Sequence, residues 1–156
     1  MASRVRFSVE ADGLLETVRS FNGLPRDLAR PTANRQLRQA SGDCAGGLAG
    51  DLRAAALASG VPVAGRVAAS IRVKSDRLPS VSVGGSSRVG RHGARAGALV
   101  WGSEHGPAAG AGVNHFGVGR SRGYWIAPTV DRFKGSTALR AYQRAVYQLL
   151  RKWGLI

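Results

Sequence analysis

The chain has 156 residues, 44% of them hydrophobic, and a mean hydropathy of -0.11, values that fit one globular domain over residues 1–156 with a real core. Its 23 basic and 9 acidic residues give a net charge of +14 and a pI near 11.6, so a polyanion or an acidic partner suits it. A single Cys44 excludes an intramolecular disulfide, the opening MASRVRFSVEAD lacks the apolar stretch of a secretory leader, and no apolar run reaches the roughly 18 residues of a membrane span.

Charge alone does not settle the partner. Twenty of the 23 basic residues are Arg, as a GC-rich coding bias would give, and no like-charge run exceeds two residues. Glycine is more informative. There are 22, about twice the usual share of roughly 7%, and twelve of them lie between Gly84 and Gly123. That stretch is expected to be rich in loops.

Arg4 to Glu10 alternates, with Val5, Phe7 and Val9 on one side, and predicts a half-buried edge strand. Asp12 caps a short helix over Leu14 to Phe21, ended by Asn22-Gly23. After Pro25 and Pro31, Thr32 is the expected N-cap of a long helix running to about Ser59. Leu37, Ala40, Cys44, Leu48, Leu52, Ala55 and Ala56 form its stripe. Gly42, Gly46, Gly47 and Gly50 interrupt it, each costing ~1 kcal/mol relative to Ala. Such glycines are expected to let a neighbouring backbone approach closely, in this chain or in another subunit. Cys44 reads as a small buried hydrophobe.

Gly60 stops the helix, and Val61 to Arg66 is expected to turn. Val67–Lys74 and Pro79–Val83 then read as a β-hairpin. Gly84 to Gly97 reads as a flexible loop with Arg88, Arg91, His92 and Arg95. It lacks the Gly-Lys-Ser/Thr ending of a phosphate-binding P-loop. Ala98 to Trp101 is expected as a further strand, and Tyr124–Ile126 as a brief extended segment. A last helix starts at Pro128, or after a break at Gly135 with Ser136 as cap, and ends near Lys152. Leu139, Tyr142, Val146, Leu149 and Trp153 form its seam; Arg140, Arg144 and Arg151 lie off it. The fold class is thus α+β: a small antiparallel sheet of about four strands against a long helix and a C-terminal helix, with a long Gly-rich loop.

Ala98 to Phe133 concentrates the residues that carry chemistry: Trp101, Glu104, His105, His115, Phe116, Arg120, Arg122, Tyr124 and Trp125. The histidines lack the spacing of a zinc site, no Gly-x-Ser-x-Gly elbow occurs, and the acidic residues form no obvious catalytic pair. No catalytic residue, metal or cofactor is therefore expected. The interleaved aromatic and basic side chains suit a subunit or partner interface; base stacking on a nucleic acid is the alternative. Arg88, Arg91 and Arg95 are the candidates to face DNA.

Three short motifs carry a resemblance. Val61-Pro62-Val63-Ala64-Gly65-Arg66-Val67-Ala68-Ala69-Ser70-Ile71 lies, with one position fewer after its Pro, over a turn reading roughly Ala-Pro-x-x-Thr-Gly-x-Leu-x-x-Ser-Ile. Pro62, Gly65, Ser70 and Ile71 match it, while Ala64 stands for the usual Thr and Val67 for the usual Leu. Ala98-Leu99-Val100-Trp101-Gly102-Ser103 is similar to the end of Tyr-Ala-x-x-Val-Glu-Phe-Gly-Thr, without the Glu. Trp125-Ile126-Ala127-Pro128-Thr129-Val130 is similar to Pro-Phe-Leu-x-Pro-Ala, without the first Pro. In this order they resemble the neck or tail-completion proteins of long-tailed bacteriophages, the gene-product-ten-like head–tail connectors. The resemblance implies a non-catalytic virion protein, assembled in the host cytoplasm. It would form a homo-oligomeric ring, hexameric by expectation, between the portal complex and the tail tube. Its implied partners are other copies of itself, the head-closure (stopper) and tail terminator or tail tube proteins, and packaged DNA in the channel; no membrane is implied. The alternative is a sequence-independent nucleic-acid-binding protein using its basic loops.

Overall fold

In a computed structural model, residues 4–8, 31–74, 78–89, 93–107, 116 and 123–152 are described. Helix α1, Pro31–Ala58, spans 28 residues, a rod of about 42 Å. Apart from Thr32 it contains no β-branched residue and is rich in Ala, Leu, Arg and Gln, all good helix formers. It begins one residue before the expected cap: Pro31 takes the first turn, where its missing N–H costs nothing. At the other end Ser59 Oγ donates to the Ala56 carbonyl at 2.7 Å and accepts from Val61 N at 3.2 Å, and Gly60 leaves the helix with φ 72. The inward face is as expected, with Leu37, Cys44, Leu48, Leu52 and Ala56 buried, and it also takes in Ser41, Ala45 and Ala49.

Of the two neighbours expected for the glycines of α1, the described residues of this chain do not supply the first. A Cβ at Gly42, Gly46 or Gly50 would meet nothing within 4 Å, and one at Gly47 would touch Ala138 Cβ at 3.6 Å, an ordinary contact. Packing among the described residues therefore does not require them.

The next stretch corrects two expectations. Ala64–Ala68 is a short helix, α2, and only Arg72–Lys74 is a strand, β2. The buried residues Val67, Ala68, Ser70 and Ile71 come in adjacent pairs, a helical turn's pattern rather than the alternation of a strand. Ser70 closes α2: its hydroxyl donates to the Val67 carbonyl at 2.6 Å and accepts from Gly84 N at 2.8 Å, tying the helix end to the sheet.

Strand β3, Ser80–Gly84, is the centre of a three-stranded antiparallel sheet, with β1 (Arg4–Ser8) and β2 at its edges. Arg4 pairs with Gly84 and Ser8 with Ser80; on the other side Arg72 pairs with Ser82. Ser80, Val81, Ser82 and Val83 are all buried, as a central strand covered on both faces requires. The β2–β3 hairpin and the edge position of β1 agree with the sequence reading. The stretch expected as a loop carries a separate small hairpin, β4 (Arg88–Val89) with β5 (Ala94–Arg95), in which Arg88 lies opposite Arg95.

The expected strand at Ala98–Trp101 is instead part of helix α3, Ala96–His105. Its first N–H groups are satisfied from outside: Ala96 N donates to the Ser87 carbonyl and Gly97 N to the Gly85 carbonyl. Gly84 (φ 91) lets the end of β3 lie against this turn, where a Cβ would come within 2.8 Å of Val100 Cγ2 and 3.0 Å of the Gly97 backbone. The expected extended segment at Tyr124–Ile126 is a bend leading into α4, Ile126–Phe133. A break follows, and Ser136 Oγ accepts from Leu139 N at 3.2 Å as the cap of α5, Thr137–Lys152. This is the second of the two starts the sequence left open.

Helices α4 and α5 pack on α1. Leu139, Tyr142, Val146 and Leu149 meet the α1 stripe in one hydrophobic cluster with Trp125, Ile126, Phe133 and the Val residues of β3. Fully buried leucines such as Leu48 and Leu52 contribute about 1.5–3 kcal/mol each. Burial pushes the Cys44 thiol up from 9.0 to about 11, and raises Tyr142 through burial and then through the neighbouring Cys44. Among the described residues no helix is long and apolar enough to cross a membrane. The expected helix at Leu14–Phe21 and the seam residue Trp153 lie outside the described residues.

Candidate functional site

The segment richest in candidate residues meets itself where α3 ends and α4 begins. Helix α3 stops at Gly106, whose N–H donates to the Gly102 carbonyl. Glu104, near that end, is 5% exposed and aims its carboxylate at the start of α4. Oε2 accepts from Trp125 N at 3.0 Å and Ile126 N at 2.8 Å, and Oε1 accepts from Ala127 N at 2.8 Å. These are donors that a helix N-terminus leaves without intrahelical partners, and the helix dipole favours negative charge there. No Ser, Thr, Asp or Asn stands at the cap position, which is Trp125. Glu104 supplies the cap from about twenty residues upstream.

The backbone reinforces this clasp. Tyr124 N donates to the Glu104 carbonyl at 2.8 Å, and Trp125 Nε1 donates to the Ser103 carbonyl at 3.1 Å. Gly123 (φ 76) sits against the carboxylate so closely that a Cβ there would collide with Glu104 Oε1. Trp125 is fully buried. Charge-assisted bonds of this type are about twice as strong as neutral ones, and here they lock two helices rather than face a substrate.

The expected interface residues therefore separate. Glu104 and Trp125 are built into the interior of the chain. Trp101 stands outside, 71% exposed, with its ring centroid 4.3 Å from that of half-buried His105. Phe116 is half-buried against the core, and its ring rests on Gly102, where a Cβ would lie 2.6 Å from it. Tyr124 is half-buried. Of the arginines expected to face DNA, Arg88 and Arg95 are exposed on the β4–β5 hairpin. Arg91, His92, His115, Arg120 and Arg122 lie outside the described residues.

Two further features were not singled out from the sequence as candidate sites. A cleft of about 420 Å³ opens between α1 and α4, lined by Asp51, Ala55, Ala58, Thr129, Arg132 and Ser136 among others. The second is a row of basic side chains along the outer face of α5. Among the described residues no three His, Cys, Asp or Glu side chains are grouped to hold a metal ion. Compared with protein-family models, curated proteins and solved structures, the chain matches none.

Proposed function

We propose that this chain is a structural, non-catalytic subunit that forms a homo-oligomeric ring at the head–tail junction of a tailed bacteriophage. The observation that carries the reading is the exposed Trp101, its ring tilted against that of His105 on α3 while the adjacent Glu104 fixes that helix to α4. A large aromatic side chain with few rotatable bonds loses little entropy on docking, and Trp recurs at interface hot spots. The face of α1 at Gly42, Gly46 and Gly50 supports the same reading, since among the described residues it leaves room for a second backbone. The order of the three short motifs supplies the head–tail context. In that setting the neighbours are the head-closure and tail terminator or tail tube proteins.

Light scattering of the purified chain, alone and mixed with its neck partners, tests this. Ring-sized particles that dissociate in Trp101→Arg are expected. A chain that stays monomeric with those partners and is absent from virions ends the reading.

A further inference from the structure

Helix α5 packs its seam inward and presents a second, equally regular face outward. Arg140, Arg144, Tyr147 and Arg151 follow one another at intervals of four, three and four residues. At 3.6 residues per turn they fall within about 60° of arc, so one edge of the rod carries all four. All are exposed, Tyr147 by 59%. Arg140 Nη2 donates to the Gly135 carbonyl at 3.0 Å, and the Arg151 guanidinium lies 6.0 Å from the centre of the Tyr147 ring. Arg144 makes no hydrogen bond or ion pair among the described residues. With Gln143, the first three line a shallow trough of about 310 Å³.

No negative charge offsets this edge from its own helix. Asp131 is the last acidic residue of the sequence, and six basic residues follow it. We infer that the outer face of α5 is a docking surface for double-stranded DNA, held through its phosphates.

Charge complementarity selects this occupant. Arg140 and Arg151 are about 16 Å apart along the helix, and a duplex offers one phosphate charge per about 1.7 Å of axis. A straight comb of guanidinium groups thus meets an unbroken row of opposite charge wherever it lands. Guanidinium forks also match phosphate oxygens in pairs. Single strands fit less well, because they are held by a series of aromatic faces on which successive bases stack, and this edge carries one aromatic ring, Tyr147, among three guanidinium groups. The contact is sequence-independent, and it involves α5 rather than the Arg88 and Arg95 hairpin. It does not depend on ring formation, since one dispersed chain carries the whole surface.

The test is fluorescence anisotropy of the full chain with a labelled duplex between about 50 and 200 mM salt. Each phosphate contact adds about 0.9 to the slope of log affinity against log salt. The triple variant Arg140→Gln/Arg144→Gln/Arg151→Gln is expected to flatten that slope by about 2.7, so the native chain loses about forty-fold more affinity across this range. Arg144→Gln alone, which disturbs no described contact, should flatten it by about 0.9 and decides the matter if the triple variant does not fold. An unchanged slope in a folded variant overturns the inference. So does absence of duplex binding at 50 mM salt, or a slope that moves only with Arg88→Gln/Arg95→Gln.

Discussion

The α3–α4 junction and the α1–α5 pair hold the chain together in different ways. At the junction one carboxylate, Glu104, satisfies three backbone donors across some twenty residues of chain. Between α1 and α5 many apolar side chains share the work, Leu48, Leu52, Tyr142 and Val146 among them. Directional bonds to one group concentrate stability in a single residue, whereas an apolar seam spreads it. The junction should therefore be brittle, and the helix pair should fail by degrees.

The sharpest test is Glu104→Ala. It strands three N–H groups in a buried site, each worth about 1–3 kcal/mol, so unfolding by urea should show a loss of about 4 kcal/mol. Glu104→Gln, which keeps one accepting oxygen but removes the charge and turns an NH2 donor toward an N–H group, should lose about half of that. An equal loss from both would mean that one amide oxygen cannot hold the junction in place of the carboxylate. Next comes Leu52→Ala in the seam, with an expected loss of about 3 kcal/mol from lost transfer energy and a partly collapsed cavity. If this single truncation costs more than Glu104→Ala, the contrast between the two regions is wrong.

The alkaline edge belongs to the helix pair. The Cys44 pKa is raised from 9.0 to about 11 in the folded chain, because burial disfavours the thiolate. Above pH 9 the unfolded chain has therefore released this proton while the folded one keeps it. Stability contributed by the neutral thiol is complete below pH 9, falls as pH rises toward 11 and then levels off. Its share is on the order of 2 kcal/mol, and a Cys44→Ala variant followed by chemical denaturation should show a shallower decline. The smallest effect is Gly46→Ala, where the new methyl meets nothing within 4 Å. The isolated chain should gain about 1 kcal/mol. If assembly weakens at the same time, the glycine face is an interface between subunits.

These two regions were not equally legible in the sequence. The seams of α1 and α5 repeat every three or four residues over many turns, a pattern that only a helix explains. The Ser136 cap was visible for the same reason, as a polar residue just before a periodic run. At Ala98–Trp101, four apolar residues in a row fit a buried strand as well as a helix, and periodicity cannot separate them. What decides it is tertiary: the Ser87 and Gly85 carbonyls receive the first N–H groups of α3. The cap from Glu104 was hidden because capping rules look one residue upstream of a helix, and here the acceptor comes from another helix. Arg140, Arg144 and Arg151 could be read as lying off the seam, but their alignment with Tyr147 on one exposed edge becomes plain only once the inward face is fixed.

The pairing of β1 with β3 has a kinetic consequence. Lys74 and Ser80, which begin the β2–β3 ladder, are a few residues apart, whereas Arg4 meets Gly84 across most of the first half of the chain. Closing the longer loop costs about 2 kcal/mol more in chain entropy, so the local hairpin should form early and β1 should arrive late. On the way out the order reverses. Amide exchange in β1 should outpace that in β3, which makes the N-terminal strand the first part of the sheet to come loose.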